Sequence, residues 1–245
     1  MRKLDNISLL QSAVAETANG IVITNTIGEI VWVNHAFEVN TGYSFEEAVG
    51  RNPKFLNSGM HTKDFFAHMW ETILKGNVWR GEIVNHKKDG SKLIELQTIT
   101  PIITDDGFIT HFIAVKQDVT AQRTAEEELE NNLTMFHAIF NYSLDAILFT
   151  IPDGRIVKAN WAACKMFQRD EQELIEIGAR GVLDFSDPNL VPALEERART
   201  GKYKGVLRFF KKDGTLFLGE IYSNIFTLGN EARTTMIIRE IQNSK

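Results

Sequence analysis

The sequence predicts an α+β fold made twice: two domains, each a five-stranded antiparallel sheet with short helices on one face, joined by a long helix. Three observations lead there. First, NGIVITNTIGEIVWVNHAF from Asn19 is echoed by DAILFTIPDGRIVKANWAA from Asp145, with Gly28 matching Gly154 and Asn34 matching Asn160 at an offset of 126. The KKDG ending at Gly90 returns at Gly214, an offset of 124. Second, each copy opens on two short apolar runs, passes through helical segments and closes on three more strand-like runs, an order that leaves helices covering one face of a sheet. Third, TAQRTAEEELENNLTMFHAIFNYS, between the copies, holds neither Pro nor Gly and reads as one helix.

The elements follow in order. Residues 1–17 are expected to form an N-terminal helix, with Leu4, Ile7, Leu10 and Val14 along one side. The first domain, 18–120, starts with IVIT and IVWVN on either side of Gly28, a hairpin pattern. FEEAVG and DFFAHMWETILKG are helical; the second places Phe65, Met69, Trp70 and Ile73 on one face and stops at Gly76. RGEIVNHK, KLIELQTITPI and HFIAVKQDVT are strands, joined by the turns KKDGS and TDDG. In the connecting helix, 121–143, Leu129, Leu133, Phe136 and Phe140 are spaced four, three and four, an a/d seam. Such a seam packs on its own domain or pairs with its twin in a parallel homodimer; the second is preferred, with the N-terminal helix in the same role. The second domain spans 144–242.

Composition narrows the function. The 245 residues are 43% hydrophobic and 24% charged, ordinary for a globular protein. The net charge of −5 argues against nucleic-acid binding. A single cysteine, Cys164, suits a reducing compartment, and no run nears the length of a membrane span. MRKLDNISLL is too polar for a signal peptide, so a cytoplasmic location is expected. There is no P-loop, nucleophile elbow, dinucleotide fingerprint or kinase segment. The chain is therefore expected not to be an enzyme, with any output domain or kinase beyond Lys245 or in a partner.

The order of elements, with DVT closing the first copy and an amphipathic helix after it, resembles the PAS domains of sensor proteins. The likeness covers about residues 8 to 241. GYSFEEAVGRNPKFLNSG, a helix with Trp70 and then VWRGEIVNHKKDG resemble more narrowly the flavin-binding PAS domains of redox sensors of the NifL and MmoS type. They are also similar to LOV photoreceptors, whose motif reads GRNCRFLQ. Pro53 stands where LOV domains carry their reactive cysteine, and Cys164 lies in the other copy, so LOV photochemistry is excluded while redox or oxygen sensing is not. The resemblance implies FAD in preference to FMN, bound in the first domain only.

A flavin needs apolar walls and hydrogen-bond partners along its pyrimidine edge. Alternation groups Trp79, Gly81, Ile83 and Asn85 on one face of the third strand, and Leu93, Glu95, Gln97 and Ile99 on one face of the fourth. Asn85, Glu95 and Gln97 are then polar groups in an apolar setting. The resemblance puts Asn85 and Glu95 at the ring edge and Lys116 where LOV domains have a ring-sensing glutamine. A slip of one residue would turn Gln117 inward instead, and both registers stay open. Arg51, Asn52 and Lys54 are candidates for the ribityl chain and phosphates. Thr24 and Asn34 join the cofactor-binding set. Trp70 and Trp79 read more readily as core residues on spacing alone, and the resemblance raises Trp79 as a cofactor contact; both belong to the cofactor-binding set. His61, His68 and His86 lack any haem-attachment motif, so haem is a minor alternative. At the 124 offset Asn85 becomes Phe209, Glu95 becomes Gly219 and Trp79 becomes Tyr203, which favours a ligand-free relay in the second domain and leaves a different small ligand open. The rival readings are a ligand-free tandem serving dimerisation and relay, and a flavoenzyme.

Overall fold

The computed structural model describes residue 9 and residues 12–241. Of the expected N-terminal helix, residues 12–15 are helical, while Leu4, Ile7 and Leu10 lie outside the described residues. The chain divides into two compact units at Leu129 and Glu130.

The first unit contains β1 (Gly20–Asn25), β2 (Ile30–Val33), α1 (His35–Thr41), α2 (Phe45–Ala48), a 3-10 turn (Pro53–Leu56), α3 (Lys63–Leu74), β3 (Trp79–His86), β4 (Lys92–Ile103) and β5 (Ile109–Asp118). Its strands pair antiparallel in the order β2-β1-β5-β4-β3. The first hairpin turns where expected: Gly28 has φ +82°, and Asn25 Oδ1 accepts from the amides of Ile27 and Glu29. Each helix begins at a side-chain cap, Asn34 for α1, Ser44 for α2 and Thr62 for α3. α3 ends ahead of Gly76, with Met69 and Ile73 buried and Phe65 and Trp70 half-buried beside them. The core lies between this helical layer and the inner sheet face, where Val22, Ile83, Ile99, Phe112 and Ala114 meet Phe37, Leu56 and Ile73.

α4 (Thr120–Tyr142) follows β5 after one residue, matching the expected helix to within a residue at each end. The second unit repeats the scheme with β6 (Ala146–Thr150), β7 (Ile156–Ala159), α5 (Trp161–Phe167), α6 (Glu171–Ile177), α7 (Leu190–Thr200), β8 (Lys202–Phe210), β9 (Leu216–Leu228) and β10 (Glu231–Glu240). Its sheet order is β7-β6-β10-β9-β8. Phe140, the last residue of the a/d seam, is buried and stacks on Phe149 at 5.4 Å, so that end of α4 packs on its own domain. Leu129 and Leu133 remain more than half exposed.

Candidate functional site

A cavity of about 300 Å³ opens in the first unit between the inner sheet face and the helical layer. Val22 and Thr24 of β1, Ile83 and Asn85 of β3, Gln97 and Ile99 of β4 and Phe112, Ala114 and Lys116 of β5 form its floor. Met69, Trp70 and Ile73 of α3, with Asn52, Pro53, Lys54 and Asn57, form its roof. Gly28 stands at the rim. A Cβ there would come within 2.8 Å of Asn52 Nδ2 and 2.9 Å of Trp70 Cη2, so the hairpin, the 3-10 turn and α3 close together only over a glycine.

The polar groups gather at one end, and Glu95 organises them. Its Oε2 accepts from Asn85 Nδ2 at 2.8 Å, Gln97 Nε2 at 3.0 Å and Lys116 Nζ at 3.1 Å. Glu95 is 2% exposed and Lys116 3%, so the ion pair is buried and its remaining hydrogen-bonding capacity matters. A carboxylate only accepts, so both amides must turn their NH2 groups towards it. Asn85 Oδ1 and Gln97 Oε1 are left without a side-chain or backbone donor among the described residues, on two residues that line the cavity. Lys116 spends one of three N–H groups on Glu95. The cavity end thus carries two acceptors and an ammonium donor, all fixed by one buried carboxylate. Of the two open registers, the structure has Lys116 inward and Gln117 exposed.

Seven of the eleven expected site residues line the cavity: Thr24, Asn52, Lys54, Trp70, Asn85, Gln97 and Lys116. The other four are elsewhere. Glu95 sits behind the wall as the orienting group. Asn34 is occupied by its own fold: its Oδ1 accepts from Ile21 N and Phe37 N, and its Nδ2 donates to the backbone at Val14 O and Asn19 O and to the Thr17 hydroxyl. Arg51 is exposed and lies over the Phe55 ring at 3.9 Å. Trp79 is on the inward face as expected, but its ring folds back along its own strand. A Cβ on Gly81 would lie 2.5 Å from Trp79 Cζ2, and Phe65 closes edge-on at 5.6 Å. Phe112 and Ala114 were absent from the sequence-based set; they alternate with Lys116 on β5, a signal usable only once that strand's register is known. His61 Nε2 accepts from Val84 N at 2.9 Å, and His68 and His86 are exposed. Among the described residues, no cluster could hold a metal ion.

The second unit lacks this end of the site. Strand pairing aligns Asn85 opposite Leu93 with Phe209 opposite Phe217, and Gln97 opposite Lys116 with Ile221 opposite Ile238. Asn85, Glu95, Gln97 and Lys116 therefore become Phe209, Gly219, Ile221 and Ile238. Phe209 stacks on Phe217 at 5.6 Å and fills the space, and a Cβ at Gly219 would meet it at 2.9 Å. Cys164 is half-buried, and burial with nearby Glu171 and Asp170 pushes its thiol pKa up, the reverse of an activated cysteine.

Comparison with known proteins agrees with this architecture. The family model described as "PAS domain" matches twice, over residues 18–121 and 144–243. The nitrogen fixation regulatory protein of Klebsiella oxytoca is 29% identical over 154 residues, covering 63% of this chain and 31% of that protein. Sporulation kinase E of Bacillus subtilis is 27% identical over 248 residues, covering 98% of this chain and 32% of the kinase. A blue-light photoreceptor of Listeria monocytogenes is 33% identical over 118 residues, covering 47% of this chain and 46% of that protein. A solved RNA-binding light-oxygen-voltage receptor superposes with a TM-score of 0.47 at 25% identity, over 52% of this chain and 37% of that one. The chain spans about a third of the length of the first two relatives. With both units matched and relatives among regulators and kinases of signal transduction, the chain belongs to the PAS domain family and is a tandem PAS sensory module.

Proposed function

We propose that the chain is a cytoplasmic input module that senses redox state or oxygen through FAD held in the first PAS domain. The second domain relays the signal to an output domain or kinase. The observation that carries this is the Asn85–Glu95–Gln97–Lys116 cluster at one end of an otherwise apolar cavity, absent from the second domain. These residues fit a flavin. Val22, Ile83, Ile99, Met69 and Trp70 offer apolar surface to a ring. At its polar edge Lys116 would donate to one ring carbonyl and an amide oxygen of Asn85 or Gln97 would accept from the ring N–H, while the second carbonyl requires one of these amides to turn its NH2 from Glu95 to the ring. Asn52 and Lys54, at the roof, would hold the ribityl and phosphate portions. Bound there, the flavin would supply reversible two-electron chemistry.

The chain's own part is to hold those polar groups and transmit a change in them. Ile94 precedes Glu95 in β4; its amide donates to Thr120 Oγ1 at 2.9 Å and its carbonyl accepts from Val119 N at 2.9 Å. Glu95 pairs in register with Asp118, whose Oδ1 accepts from Thr120 N at 2.8 Å. Any reorganisation at Glu95 thus acts one residue from the bonds that start α4. Leaving one buried partner unpaired costs about 1–3 kcal/mol, the scale of allosteric coupling. Light sensing of the thiol type finds no support, because Pro53 lines the cavity where the photoreceptor motif has its cysteine.

The test is the absorbance spectrum of the purified chain, with and without reconstitution by FAD. Flavin bands that bleach reversibly with dithionite and air are expected. A protein that gains no flavin bands from FAD, FMN or cell extract would leave the ligand-free tandem as the function.

A further inference from the structure

The second domain keeps a smaller cavity at the corresponding place, about 170 Å³, and its polarity is reversed end for end. α3 gives Met69, Trp70 and Ile73 to the first cavity; α7 gives Ala193, Leu194 and Arg197 to the second, each 124 residues on. Ile99 is replaced by Ser223 and, on the next strand, Phe112 by Thr234. Where the first domain is apolar, the second is polar.

The new polar groups are not satisfied as a core would require. Arg197 is half-buried, and Nη1 donates to Ser223 Oγ at 3.4 Å, a long bond. No carboxylate forms an ion pair with it among the described residues. Burial lowers its pKa and no acid works the other way. The Thr234 hydroxyl is fully buried without a partner among the described residues; it does not itself line the cavity, though its neighbours Thr150 and Met236 do. Buried donors are retained in this state when something else completes them.

We infer that this cavity binds a small monocarboxylic acid, its carboxylate held by Arg197 and Ser223 and its short hydrocarbon part lying against Leu207, Ile221 and Met236. Guanidinium matches carboxylate geometry in a fork of parallel bonds. At roughly 30 Å³ per water-sized group, the space admits about five or six non-hydrogen atoms, an acid of three or four carbons. The apolar wall favours such an acid over inorganic phosphate, which has nothing to bury there.

Calorimetric titration of the intact chain with propionate, butyrate, propionamide and inorganic phosphate tests this. Saturable millimolar binding of propionate or butyrate is expected, with none for propionamide. Arg197→Met should weaken it about tenfold or more, the effect of losing a charge-assisted hydrogen bond. Without ligand, R197M should melt no lower than the wild type, since Ile73 is its counterpart in the first domain. Should R197M fail to fold, Ser223→Ala decides through a several-fold loss. No binding of either acid, tighter binding of phosphate, or binding unchanged in the folded variants overturns the proposal.

Discussion

Glu95 has nothing to donate, so whatever touches its carboxylate must come with a hydrogen. That requirement sets two amides and an ammonium in place at once, and it makes the ion pair with Lys116 the most consequential buried contact of the first domain. Removing one partner strands the other charge. Glu95→Leu is expected to destabilise the first domain by about 3–5 kcal/mol, whereas E95L with Lys116→Met recovers most of that loss, because no charge is left buried. A denaturant-unfolding cycle on the two single variants and the double checks this; a double variant destabilised by the sum of the two single losses would show the pair is not coupled. Asn34 makes the contrasting case. Asn34→Ala removes the cap of α1 and the acceptor for Ile21 N, and Asn160→Ala does the same through Ala163 N and Ile147 N. Each should cost about 1–2 kcal/mol or more by thermal melting. The flavin absorbance per folded molecule should not change in N34A. A selective loss of flavin there would return Asn34 to the binding set. The match between Asn34 and Asn160 across the repeat pointed to this structural role, since a residue kept in both domains is a poor candidate for a cofactor bound in one.

At the scale of elements, period-two alternation made the inward faces of β3 and β4 legible, and with them Asn85, Gln97, Ile83 and Ile99. What alternation could not give was depth. It put Glu95 and Gln97 on the same face, but only the packed sheet shows that one lines the cavity while the other stands behind it. Nor could it show Trp79 turning over Gly81, a matter of side-chain torsion that only the neighbouring Phe65 decides; Tyr203 repeats this over Gly205 in the second domain. The junction of α4 with β6 carries a pH effect. Asp145 accepts from Arg239 Nε at 2.8 Å and Nη2 at 2.7 Å, and these bonds hold its carboxyl below the usual range. A carboxylate whose folded pKa is depressed adds stability above its unfolded pKa, about 4, and loses it as the pH falls through the folded value. The pair is partly exposed, so Asp145→Asn should cost no more than about 1 kcal/mol at neutral pH. That difference should shrink below pH of about 4 and vanish in stronger acid. Melting curves of D145N and wild type across this range supply the check, and a gap that stays constant with pH would assign the loss to something other than the charge.

For the whole molecule the open question is what covers the seam of α4. Phe140 is buried against its own domain, but Leu129 is 61% exposed, Leu133 51% and Phe136 38%. Met135 and Ile139 are exposed beside them, so the apolar stripe is broader than the four residues of the heptad pattern. A helix of 23 residues with one apolar side open to water gains most by meeting its like, since burying an exposed leucine contributes about 1.5–3 kcal/mol. Pairing two copies in parallel would also bring the two starts of α4, each fixed by Thr120 to the strand that carries Glu95, into one coiled coil. Sedimentation equilibrium of the chain is expected to give a dimer, and Leu129→Glu with Leu133→Glu a folded monomer, because charges facing one another across such a seam repel. Flavin binding should survive in that monomer, as neither residue lies near the cavity wall. A wild-type monomer, or a dimer indifferent to both glutamates, would mean the seam serves packing within one chain, and the relay would then have to run along a single helix.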